Sequence, residues 1–292
     1  MKSAELFAQI TDRIAAQIDA GVAPWRKPWT ADSAGLPRNV SGRAYRGANT
    51  FWLALAQAAK GYPTPVWLTY KQAQAAGGSV RKGETGTAVF FWNFSEKTNA
   101  ATGKVEKVVW AKVYTVFNVA QCDGIEVAAP PARTQIERHA DAEHVIAATG
   151  AVIRHGGDRA FYSPSADVVC VPHAETFVDR DAYYATVFHE IGHWTGAKAR
   201  LDRQFGKRFG DDAYAFEELV AELTAAFVCA SVGVSNPDRE DHAAYLGHWS
   251  RILKADPKAF ITAAGKAQAA ADYILATAAQ SEEEDASQLI AA

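Results

Sequence analysis

The sequence predicts an α+β protein of two domains, a mixed α+β N-terminal domain over residues 1–127 and a mainly helical C-terminal domain over 134–280. Three observations predict it. Residues 1–125 carry 15 Lys and Arg against 8 Asp and Glu, whereas residues 126–292 carry 15 against 25. Residue types divide at the same place, with six of the eight Trp before residue 126 and all eight His after it. Between the halves, Val127-Ala128-Ala129-Pro130-Pro131-Ala132 is small and proline-bearing, which marks a linker at 128–133. Residues 281–292 read as an acidic C-terminal tail.

Composition narrows the class. The chain has 292 residues, 49% hydrophobic and 22% charged, which is too apolar for disorder and long enough for two cores. No apolar run reaches the roughly 18 to 20 residues of a bilayer span, so a membrane partner is not expected and a cytoplasmic location is. Cys122, Cys170 and Cys229 are scattered, odd in number and free of any CxxC pair, which argues against a disulfide framework or a thiolate zinc site.

The N-terminal elements follow in order. Residues 1–17 read as an amphipathic helix. In Pro24-Trp25-Arg26-Lys27-Pro28-Trp29, prolines prevent helix and fix an extended segment that displays two indoles beside two cations. Arg43, Tyr45, Arg46 and Asn49 come in one run, then a helix over 50–59, then a basic turn carrying Arg81 and Lys82. Strands over 86–94 and 107–118, rich in Val, Phe, Tyr and Trp, are joined by a polar, Gly-containing stretch that suits a hairpin loop at 95–103. A basic groove follows a phosphate backbone and flat aromatic faces stack any base, so this half reads as a binder of single-stranded nucleic acid. Its expected contacts are Trp25, Arg26, Lys27, Trp29, Arg43, Tyr45, Arg46, Asn49, Arg81 and Lys82. Trp67, Trp92 and Trp110 are assigned to packing instead.

The C-terminal half carries sharper chemistry. Residues 181–196 read as a helix closed by Gly196 and containing His189-Glu190-Ile191-Gly192-His193, an HExxH motif. Positions four apart share a helix face, so the imidazoles of His189 and His193 converge on one zinc ion, with Glu190 beside the open position as general base. A third ligand is required. His173, His242 and His248 are candidates, but Glu218 and Glu222 fit best, four apart on one face of a helix over 216–227. Glu218 is assigned to the metal, and Glu222 to a ligand imidazole N–H, whose tautomer it would fix. Glu217 is read as part of a solvated helix start.

The Glu-x-x-Ala-Glu pattern resembles the glutamate-type zincins, in which the last position is usually Asp or Asn. Glu222 is one methylene longer than that Asp. Over nearly its whole length the sequence resembles the ArdC antirestriction proteins of conjugative plasmids. The resemblance is carried by residues 21–29, Tyr45-Arg46-Gly47-Ala48-Asn49, Arg81-Lys82-Gly83-Glu84, Phe117-Asn118-Val119-Ala120-Gln121, the 189–196 run, and Glu217-Glu218-Leu219-Val220-Ala221-Glu222. It implies a single-stranded DNA-binding domain joined to a zincin-like metallopeptidase domain, and protection of incoming plasmid DNA from host restriction. Zn²⁺ is the expected cofactor, although the same ligands accept Mn²⁺. Host restriction-enzyme subunits or other DNA-bound proteins are the expected protein partners. Two other functions use the same modules: a protease for DNA-bound or DNA-crosslinked proteins, and a non-catalytic DNA-occupancy protein with a structural metal site.

Overall fold

The computed structural model describes residues 1–25, 35–98, 105–127, 133–203, 212–236 and 243–291. The N-terminal unit begins with α1 (Ser3–Asp19), whose buried Leu6, Phe7, Ile10, Ile14 and Ile18 recur at helical spacing. It continues through β1 (Arg38–Asn39), α2 (Ala48–Lys60), β2 (Val66–Leu68), α3 (Tyr70–Ala75) and β3 (Ser79–Val80). The long hairpin β4 (Thr87–Thr98) and β5 (Val105–Asn118) and then β6 (Cys122–Asp123) complete it. The main sheet has the order β1-β2-β5-β4, with β1 and β2 parallel and the other pairs antiparallel. The hairpin runs further than expected because pairing continues through Lys97↔Glu106 to Thr98↔Val105, and the shortened connection at 99–104 lies outside the described residues. β4 is the edge strand, and α2 ties part of its edge down. Asn49 accepts the Phe90 N–H at 3.1 Å and donates to the Phe90 carbonyl at 2.5 Å, while the Trp52 indole donates to the Ala88 carbonyl at 2.9 Å.

The C-terminal unit runs α4 (Gln135–Ala148), β7 (Val152–His155), β8 (Phe161–Ser163), β9 (Val168–Val171), α5 (Arg180–Thr195), α6 (Asp212–Val232), α7 (Ala243–Ala255) and α8 (Ala259–Ala291). Its small sheet has the order β7-β9-β8, with β7 parallel and β8 antiparallel to β9. The stretch expected as a tail continues α8 as helix to Ala291.

Chain order keeps two units, but their interiors merge, unlike the two cores expected from charge and composition. The apolar face of α1 lies on α7 and α8, and one hydrophobic cluster runs from Leu6 and Ile10 through Phe51 and Phe90 to Leu219, Trp249 and Ile274. Phe51 of α2 meets Phe227 of α6 at 4.7 Å between ring centroids and Phe260 of α8 at 5.8 Å. Polar contacts reinforce the join: Thr11 donates to the Pro257 carbonyl at 2.8 Å, and Lys254 pairs with Asp19 at 2.7 Å. Charge and composition report on surfaces, whereas the merger depends on which apolar faces meet. Most of the expected linker, residues 128–132, lies outside the described residues.

Candidate metal centre

The centre forms where α5 crosses α6. Asp179 starts α5 by accepting the Ala182 N–H at 2.7 Å, and Gly192 sets how closely the helices approach. A Cβ at Gly192 would stand 3.3 Å from the Ala221 Cα and 3.4 Å from its carbonyl oxygen, so the missing side chain lets the α6 backbone come in. That approach puts Glu218 opposite both histidines. The His189 and His193 Nε2 atoms are 3.2 Å apart, and the Glu218 carboxylate lies 3.4 Å from the first and 3.5 Å from the second. A tetrahedral ion with ligand distances of about 2.0 to 2.1 Å has edges of about 3.3 Å between donors. Glu218 turns Oε2 toward His189 and Oε1 toward His193, so the three side chains converge on one place at nearly that spacing, and among the described residues they form the metal-competent group.

The ligands are held from behind. Glu222 Oε1 lies 2.7 Å from His189 Nδ1, the arrangement that directs Nε2 toward a metal. Glu217 is buried, contrary to the solvated helix start expected for it, and its Oε1 stands 3.5 Å from His193 Nδ1. Arg203 fixes Glu217 through contacts of 2.6 to 3.2 Å, and also donates to Thr195 Oγ1 at 2.8 Å and to the Gly192 carbonyl at 2.6 Å. Sequence reasoning missed both residues. A signal for Glu217 existed, because Leu219, Val220, Ala221, Leu223, Ala225 and Ala226 leave α6 apolar all round and such a helix is buried entire. For Arg203 the sequence holds no signal.

Four buried carboxylates, Glu190, Glu217, Glu218 and Glu222, surround the two imidazoles, with the buried Arg203 guanidinium on one side. With neutral histidines the pocket keeps surplus negative charge, which a divalent cation would neutralise. Titration reflects that surplus. Burial alone would lower the His193 pKa, but the Glu217 and Glu218 carboxylates overcome it and raise it to about 10. Glu218 is held well below the usual carboxylate range despite burial, by His189 and His193.

The expected DNA contacts fare differently. Trp25 is fully buried, edge-on to Trp249 at 5.4 Å, and its indole N–H donates to Glu222 Oε2 at 3.4 Å. It belongs to the support of the metal centre rather than to an exposed stacking surface, because the seating of α1 on α7 brings the following residues into the shared core. Asn49 is buried with its amide spent on the Phe90 backbone, and Tyr45 is buried, which pushes its hydroxyl up to about 12. Arg46 pairs with Asp272 of α8. Arg81 pairs with Glu84 at 2.9 Å and Asp123 at 3.5 Å and donates to the Ala120 carbonyl at 2.6 Å, so it braces a turn. Trp25, Tyr45 and Asn49 are therefore packed rather than displayed, while Arg46 and Arg81 stay exposed although each is paired within the fold. Arg43 and Lys82 are exposed as expected. Arg26, Lys27 and Trp29 lie outside the described residues. Trp67 is packed as expected, whereas Trp92 and Trp110 stay half exposed.

Residues 4–117 match the N-terminal domain of anti-restriction factor ArdC, and residues 140–266 match a zincin-like metallopeptidase domain. The metal-free crystal structure of antirestriction ArdC protein from the R388 plasmid has a TM-score of 0.79 to this chain. Its sequence is 42% identical, with 94% of this chain and 98% of that chain covered. The chain belongs to the ArdC antirestriction family. The Mn(II)-bound structure of the same R388 protein gives a TM-score of 0.78 at 41% identity, covering 94% of this chain and 98% of that chain. Together with the zincin-like domain, it points to a divalent metal in the ArdC fold. A protein of Sinorhizobium fredii (strain NBRC 101917 / NGR234), y4eC, is 42% identical over 92% of this chain and 91% of its own length. The DNA primase TraC of Escherichia coli is 41% identical over 92% of this chain, which spans 27% of that primase. Among the described residues, no helix is long and apolar enough to cross a membrane.

Proposed function

We propose that this ArdC family member is a cytoplasmic antirestriction protein that binds single-stranded DNA and hydrolyses peptide bonds at a zinc centre, protecting incoming plasmid DNA. The observation that carries the enzymatic part is the convergence of His189, His193 and Glu218, with Glu222 behind His189 and Glu217 behind His193. His189, His193 and Glu218 would hold the zinc ion, which would supply Lewis acidity for the scissile carbonyl and lower the pKa of a water. Glu190, buried next to His189 on α5, accepts the proton of the attacking water and returns it to the leaving amine. Glu222 and Glu217 keep both imidazoles in the tautomer that presents Nε2, and Arg203 holds Glu217 in place for that task.

The test is Glu190→Gln, which keeps the shape of the side chain and removes the base. Metal content and fold should be unchanged, while cleavage of restriction-enzyme subunits offered with single-stranded DNA should fall by about 100-fold or more. Cleavage at the wild-type rate would reject the mechanism. Unaltered plasmid transfer by the variant into a restricting recipient would show that protection rests on DNA occupancy.

A further inference from the structure

A second concave site lies away from the metal centre. A cavity of about 590 Å³ opens along the β4–β5 hairpin between the 43–49 segment and α8, lined by the hairpin face that carries Phe91 and Tyr114 and also by Phe90, Trp92 and Phe94 of the opposite face, and its size is that of a small-ligand pocket. On the hairpin face, Phe91 is 46% and Tyr114 is 36% exposed, with ring centroids 5.5 Å apart. Lys112 sits opposite Phe91 in the strand register and carries its ammonium 5.3 Å from the Tyr114 ring centroid. Arg43 is exposed on the facing segment. The far wall belongs to the other unit. Gln268 of α8 accepts the Gly47 N–H at 2.9 Å, Asp272 pairs with Arg46, and Gly265 lines the space between.

We propose that this cleft holds single-stranded nucleic acid, one base stacking on Phe91 and Tyr114 and the adjoining phosphates meeting Arg43 and Lys112. The proposal rests on the reading of the N-terminal unit as a single-strand binder and adds that the metallopeptidase unit completes the site. Flat rings left half in water suit a planar base, and the exposed cations beside them suit its backbone. The nearby Asp272 does not oppose this, because Arg46 already neutralises it. A peptide adding as a strand to β4 is disfavoured, since side chains of α2 occupy that edge at Ala88 and Phe90.

Anisotropy of a fluorescein-labelled oligo-dT on the full chain tests it, with metal content and thermal melting as controls for folding. Phe91→Ala and Tyr114→Ala should each weaken binding between about fivefold and a hundredfold. Gly265→Leu is the deciding variant. A Cβ at Gly265 meets nothing within 4 Å, so the larger side chain enters the cleft from α8 without disturbing the core and should also weaken binding. Failure of the wild type to bind any single strand would end both the single-strand reading and the cleft. Wild-type binding that all three variants retain would overturn the cleft alone. Loss in the two aromatic variants with Gly265→Leu unaffected would overturn the contribution of the metallopeptidase unit. A dimer abolished by Phe91→Ala, with oligonucleotide binding intact, would assign the face to a second copy of the chain and overturn the proposal.

Discussion

The α5–α6 crossing and the N-terminal basic and aromatic segments carry equally suggestive residues, yet their structures treat those residues in opposite ways. At the crossing, chemistry written four residues apart arrives intact, because helix geometry places His189 with His193 and Glu218 with Glu222 whatever the rest of the chain does. In the N-terminal unit, Trp25, Tyr45 and Asn49 are taken up by packing, whereas Arg46 and Arg81 stay exposed beside their partners Asp272 and Glu84. Trp25 and Glu222 are 197 residues apart, and no local rule pairs them. Spacing within one helix fixes which side chains share a face; which faces meet, and which residues stay on the surface, is decided by the whole fold.

The largest effect that tests this contrast is loss of the metal. Glu218→Ala deletes one of three converging donors, and elemental analysis after purification without chelator should drop from one divalent ion per chain to near none. Full stoichiometry in that variant would remove Glu218 from the centre and with it the claim that local spacing was enough.

Truncation of residues 1–20 asks whether the units are one folding body. Burial of an apolar side chain contributes roughly 1.5–3 kcal/mol, and total stability is about 5–15 kcal/mol, so removing α1 with Leu6, Phe7, Ile10, Ile14 and Ile18 should abolish cooperative melting followed by circular dichroism. An unchanged transition for the metallopeptidase unit would restore the picture of two independent cores. For the same reason, a fragment ending near residue 128 should not fold stably alone, which makes the full chain the right object for DNA-binding measurements.

Trp25→Phe sharpens the contrast with the smallest change. It keeps a ring against Trp249 and removes the N–H that reaches Glu222. Loss of a group hydrogen-bonded directly to a ligand costs about 10–100-fold in metal affinity; Trp25 stands one residue further out, so about 3–10-fold is expected in competition with a chelating dye. Equal affinity would reduce Trp25 to a packing residue.

Legibility follows the same physics. Six elements stand out as apolar patterns with short periods: α1, α2, β4, β5, α5 and α6. Their ends shifted where cross-strand pairing or capping prevailed over composition, as at Thr98↔Val105. His189, His193, Glu218 and Glu222 were legible from spacing. Glu217 was legible in principle, since a helix apolar on every side offers no solvated start. Arg203 and the merged core were not, because an arginine between elements carries no periodicity and two amphipathic faces do not declare their partners.

The seating of α1 on α7 and α8 also sets a timetable during synthesis. The first helix is complete at Asp19, whereas α8 begins at Ala259. At translation rates of about 5–20 residues per second, the apolar stripe of α1 waits on the order of 10 to 50 seconds for its resting place. Over that interval Leu6, Phe7 and Ile10 are an exposed hydrophobic strip on a nascent chain, the kind of surface that chaperones hold. The later-made helices α7 and α8 therefore release α1.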